Sequence, residues 1–395
     1  IYVEHIRTGF TDLVWPSSLL GGTFKVAMIG LVGFLLLFPI LARLPDTWKP
    51  WVRSAVRLVG WAGAIALMFI VRYNDTYGHV FSLQRNDVII LILTNVAVYT
   101  TLIYLITRKN VLFRLCFLGF LMALRLSEGV PGWTHSLVAN FPIPYVSSLG
   151  FLGNTVTSIL KTINSFLTLE ITQYLFVSIP GTIVGEMILE WMRGPVTKES
   201  EHQTWSRGRF AGLAALLFGT TALCLTLLMG RHVWQLAVAL IPVLSILNWL
   251  VRKPRSGIEE LMHNLFKWGA FLLILGMIFE PYEGGIKKDS CTMSYYFVAG
   301  GLAIFTLMMF TIIIDVFKKQ RAVQLLIDNG QNPMIAYTAH GNFIGPILTL
   351  AGFGLAAAGK MISSPWLGFA YGVGYVLLVA ITVSFCTRKG IFWRT

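Results

Sequence analysis

The sequence predicts an all-α protein, a polytopic membrane helix bundle of about 11 transmembrane helices. Three observations lead there. Charged residues are 12% of the 395 positions and hydrophobic ones 55%; a soluble domain carries roughly 25% charge. Apolar runs of the length a bilayer demands, about 17–25 residues, recur along nearly the whole chain. The runs are continuous rather than alternating, which favours helices over a barrel, the two forms that satisfy the backbone in lipid.

Taken in order, Ile1–Pro16 (IYVEHIRTGFTDLVWP) is polar, with Glu4, His5, Arg7 and Asp12 ahead of the first apolar run. It lacks the apolar core of a signal peptide, and Ile1 is an unusual start, so a preceding segment is expected. Runs then follow at 26–43, 55–72, 87–107, 110–126, 169–192, 208–229, 233–251, 261–280, 294–317, 333–357 and 365–387. The weakest is 110–126, short and interrupted by Arg114. Residues 127–168, with Pro131, Trp133, His135, Pro142 and Pro144, read as a long extracytoplasmic loop: a cap over the bundle or a lid over a site.

Basic residues orient the runs. One set of connections holds Arg43, Lys49, Arg53 and Arg57; Arg108 and Lys109; Arg193, Lys198, Arg207 and Arg209; Arg252, Lys253 and Arg255; Lys318, Lys319 and Arg321; and Arg388, Lys389 and Arg394. The alternate connections are poorer in base. By the positive-inside rule the first set is cytoplasmic, which puts the C-terminus inside and His5 outside. The same rule accounts for the net charge of +13 without nucleic acid. Cys116, Cys224, Cys291 and Cys386 form no CxxC and suggest no disulfide or metal site.

Polar residues within apolar runs are costly and mark pathways or sites. Glu186 lies in FVSIPGTIVGEMILEW, where Pro180 and Gly181 predict a mid-span break. Such a break either builds a binding site or is a packing kink. Asn95 is expected to bond a neighbouring helix. The stretch GQNPMIAYTAHGNFIGP, Gly330–Pro346, starts a helix at Asn332–Pro333, with Asn332 as a candidate cap. It carries Tyr337, His340 and Asn342 into the membrane, with His340 either structural or functional. HExxH, GxSxG, Walker A and dinucleotide fingerprints are absent from the sequence. Catalysis would therefore use a histidine as base or nucleophile.

The histidine segment running into GFTDLVWP (Gly9–Pro16) resembles the heparan-α-glucosaminide N-acetyltransferase family, whose bacterial branch includes inner-membrane glucosamine acetyltransferases. Residues 85–110, 174–192 and 284–305 look like the bacterial branch, and NGQNPMIAY (329–337) resembles the family's Asn-bearing segment in a late helix. The chain departs from the family pattern. A span before the histidine is missing, and SSLLGG (Ser17–Gly22) stands where about two further spans are expected from the resemblance. The gap from His5 to Asp12 is also short.

The resemblance implies one integral-membrane acyltransferase domain over 1–395 in a bacterial inner membrane, with acetyl-CoA as co-substrate and no metal. Its partners would be the lipid bilayer and an amino sugar or glycan acceptor, with a homodimer allowed. His5 would be catalytic as general base or transient acetyl carrier, and Asp12 would orient it or cap the next helix. Asn332 or Tyr337 would donate to the thioester oxygen as it gains charge. Tyr337, His340 and Glu186 would line the substrate site. Arg252, Lys253 and Arg255, or Lys318, Lys319 and Arg321, would hold the CoA phosphates or serve only as topology signals. A secondary transporter is the alternative, resting on the expected IPGT break and on His340.

Overall fold

The computed structural model describes residues 22–70, 88–127, 132–133, 171–194, 205–288, 291–353 and 364–393. The helices in chain order are α1 (Gly22–Leu41), α2 (Pro50–Ile70), α3 (Val88–Thr107), α4 (Val111–Leu126), α5 (Leu175–Arg193), α6 (Arg207–Met229), α7 (Val233–Leu250), α8 (Gly257–Ile278) and α9 (Met293–Thr311). They continue with α10 (Gln324–Gly330), α11 (Pro333–Ala339), α12 (Gly345–Leu350) and α13 (Pro365–Arg388). Among the described residues seven helices are long and apolar enough to cross a membrane: α2, α5, α6, α7, α8, α9 with its extension to Val316, and α13. Shorter apolar stretches, Ala27–Leu41 and Ile92–Thr107, lie in α1 and α3. The protein is thus an all-α polytopic membrane bundle, with no strand among the described residues.

Two sequence expectations change here. The Pro180–Gly181 break does not form: α5 runs without interruption, as α1 and α7 do through Pro39 and Pro242. Proline removes only one backbone donor, and a helix in a bundle absorbs that loss. The run expected at 333–357 stays helical from 333 to 350 but is not uniform. It forms α11, a wide π turn at His340–Ile344, and α12.

The chain divides into two compact units, residues 91–319 and residues 1–90 with 320–395. In the first, α8 and α9 pack face to face because Gly276 and Gly301 leave room for backbone. A Cβ at Gly276 would stand 2.6 Å from the Val298 nitrogen, and one at Gly301 would stand 2.7 Å from the Gly269 carbonyl oxygen. Phe266 and Phe305 stack in the same seam with centroids 6.1 Å apart. Close approach of small residues is a common way for helices to gain packing energy in lipid. Helix starts are capped by side chains: Asn110 for α4, Ser206 for α6, Thr292 for α9, and Ser256 with Glu259 as a capping box for α8.

In the second unit, Phe34, Ile335, Ala339, Ile344, Val379, Val383 and Trp393 form most of the core. An antiparallel bridge joins Arg43 to Phe392.

Candidate functional site

His5 and Asp12 lie outside the described residues. The remaining candidates fall into separate polar centres, each within one unit.

In the 91–319 unit, Arg114 of α4 has no solvent exposure. Its Nη1 and Nη2 donate to the two carboxylate oxygens of Glu186 on α5, at 2.8 and 3.0 Å. Nη1 also donates to Thr182 at 3.1 Å, and Nε donates to Thr107 at 3.3 Å. The guanidinium lies 5.0 Å from the Tyr104 ring centroid. This planar fork matches the carboxylate in a bidentate geometry that lysine lacks. The Glu186 carboxylate is held by Arg114; an unpaired arginine at this depth would be far costlier than the pair.

A second centre stands where α4 ends and α9 begins. Arg125 pairs with Glu283, and its Nη1 and Nη2 donate to Gln173 at 2.6 Å and to the Cys291 carbonyl at 2.9 Å. Glu283 also accepts the Met293 backbone N–H. The chain turns here through Gly284 and Gly285, both at positive φ, where glycine avoids the strain of a side chain. Neither ion pair is foreseen from sequence. Each joins residues far apart in the chain, and a lone arginine in an apolar run reads as a flaw rather than as half of a pair.

The basic residues of the α7–α8 connection stand on a braced loop. Arg209 donates to the carbonyls of Leu250 at 2.7 Å and Arg252 at 2.6 Å, and its guanidinium sits 4.3 Å from the Trp205 ring centroid. The buried Glu259 carboxylate accepts the backbone N–H groups of Trp205, Arg255 and Ser256. Lys253 has φ 54°, and Arg252, Lys253 and Arg255 are exposed. Lys318 and Lys319, which follow α9, are exposed as well, with Lys318 at φ 55°.

In the other unit Arg321 is exposed. Asn332 precedes α11 but does not cap it with its side chain. Its amide nitrogen donates to the Ile391 carbonyl at 2.8 Å and to Thr387 at 3.4 Å, and its oxygen accepts the Trp393 N–H at 3.1 Å. Asn332 thus clasps the segment after α13. Nearby, Asp328 accepts from Ser384, Gln324 and Arg388. The Ser384 hydroxyl first, then the Gln324 amide and the Arg388 guanidinium, hold its carboxyl below the usual carboxylate range against the cost of burial.

Tyr337 and His340 are exposed one turn apart, whereas Asn332 is buried. The His340 ring meets Tyr375 edge-on with centroids 4.9 Å apart. Its carbonyl accepts both the Tyr375 hydroxyl and the Gly345 N–H that closes the π turn. Asn342 donates to the Thr338 carbonyl at 3.2 Å. Of the expected site residues in this unit, Tyr337 and His340 lie on exposed surface and Asn332 does not. Sequence reasoning misses Tyr375 because its link to His340 crosses between helices.

The family model described as Domain of unknown function (DUF5009) matches residues 14–188. That span starts inside the GFTDLVWP stretch and takes in α1 to most of α5, including Arg114 and Glu186. No curated protein and no solved structure matches the chain.

Proposed function

We propose that the chain is a membrane acyltransferase carrying an acetyl group from acetyl-CoA to an amino sugar or sugar hydroxyl across the bilayer. The observation that carries this reading is the polar histidine segment leading into Gly9–Pro16, which resembles that of the glucosaminide acetyltransferases. The braced, exposed cations Arg252, Lys253 and Arg255 are compatible with it, since a rigid basic loop suits phosphate groups. Lys318, Lys319 and Arg321 are the other phosphate candidates. In the proposed step the acceptor nitrogen or oxygen attacks the thioester carbon, the C–S bond breaks and CoA thiolate leaves. His5 takes the acceptor's proton and passes it to the thiolate.

The test is thiol release from acetyl-CoA by the full-length protein in the presence of glucosamine. Turnover is expected, falling about a hundredfold or more in His5→Ala. CoA should also raise the unfolding temperature by mass action. Absence of both turnover and a CoA-dependent shift would overturn the reading; unchanged turnover in His5→Ala would remove the role of His5.

One observation favours a second reading. A π turn within a helix, as at His340–Ile344, is a feature often found at functional sites, and it would place His340 beside a solute path. That reading predicts solute counterflow in vesicles without CoA chemistry.

A further inference from the structure

The helices α7 and α8 are joined by a short loop yet leave a groove of about 610 Å³ between them. Its walls are apolar along most of their length, with Ala237 and Ile241 on α7 facing Ile274 and Ile278 on α8. The polar lining, Ser245 and Asn248, gathers at one end, beside Phe266 and next to the basic loop. From Ala237 to Asn248 the groove extends about 16 Å at 1.5 Å per residue. That is close to one leaflet of a ~30 Å hydrocarbon core.

Lys267 follows Phe266 on α8 and is not itself one of the groove-lining residues. It is exposed on the membrane-spanning α8, and it has no hydrogen-bond or ion-pair partner among the described residues. On a wheel of 3.6 residues per turn its direction falls between those of Ile274 and Ile278, which do line the groove. An ammonium on the lipid-facing side of a span is costly unless an anion meets it. Arg252, Lys253 and Arg255 follow α7 at the same end and add to the positive field.

We propose that this groove is a binding site for an anionic glycerophospholipid of the leaflet on the basic-loop side. One acyl chain lies along the apolar walls. The phosphate meets Lys267, and the head-group hydroxyls or ester oxygens meet Asn248 and Ser245. The site uses none of the catalytic residues of the acyl-transfer reading but shares with it the basic loop of Arg252, Lys253 and Arg255.

The full-length protein, purified in mild detergent with equal amounts of phosphatidylglycerol and phosphatidylcholine, would be washed and its retained lipid measured by mass spectrometry. The wild type is expected to retain phosphatidylglycerol over phosphatidylcholine by about fivefold, the effect of one well-placed cation. Lys267→Gln should bring the ratio to near parity, and Lys267→Arg should keep it. Ala237→Trp and Ser245→Trp, which fill the groove from the α7 side, should lose both lipids. Helicity measured by circular dichroism separates these effects from misfolding. Parity in the wild type, or a preference unchanged in Lys267→Gln with the groove filled, would overturn the proposal. So would a change in particle mass on filling the groove with lipid content unaltered, which would make it an interface between copies.

Discussion

Arg114 illustrates what one charged residue demands of its surroundings. Burying a guanidinium alone costs about several kcal/mol, and the bidentate carboxylate, two threonine hydroxyls and a tyrosine face offset that cost. Arg114→Met alone leaves Glu186 without its ion-pair partner and should destabilise the protein by about 3 kcal/mol or more. The double variant Arg114→Met with Glu186→Met should recover much of that loss. Thermal unfolding in detergent checks both; equal losses in the single and double variants would show that the pair is not coupled. The sequence displays both residues but not their pairing, since Glu186 lies 72 positions away from Arg114. Asn332 departs from expectation for the same reason. A cap is a local property that sequence suggests readily, whereas its actual partners near residue 391 are set by the fold.

At the scale of helices, the apolar runs anticipate the observed elements closely, because bilayer thickness sets their length. Interruptions are harder to read. Pro180 has a strong local signature but costs one hydrogen bond, so α5 continues. The π turn at His340 is foreshadowed only by Gly341, Gly345 and Pro346, since a widened turn leaves no hydrophobic period. The α8–α9 seam supplies a sharper test. A Cβ at Gly276 or Gly301 would meet backbone atoms that cannot rotate away. Gly301→Ala should therefore cost about 2 kcal/mol or more by overpacking. Gly219→Ala, where a Cβ would meet nothing within 4 Å, should be neutral or stabilise α6 by up to about 1 kcal/mol. Equal melting temperatures for the two variants would contradict the close seam.

For the whole molecule, the alternation of basic and base-poor connections makes a directional prediction. In a background with the four cysteines replaced by serine, Lys253→Cys should react with an impermeant maleimide only after the membrane is opened. Lys288→Cys, beyond α8, should react in intact cells. Labelling of both from one side would remove α8 as a span, and the reverse pattern would invert the orientation. Composition alone makes the membrane class legible, whereas the grouping of residues 1–90 with 320–395 is not, because nothing local links the two ends of the chain.

The clasp around Asn332 and the Arg43–Phe392 bridge bear on biogenesis. The ribosome delivers α1 and α2 long before α13, yet the contacts that complete this unit form only once position 393 has been made. The intervening 91–319 unit has all its parts long before then. Its helices can assemble while α1 and α2 wait in the bilayer, open to the insertion machinery and to quality-control proteases. A frameshift or nick just after α13 would thus be felt far upstream, as failure of α1 and α2 to mature.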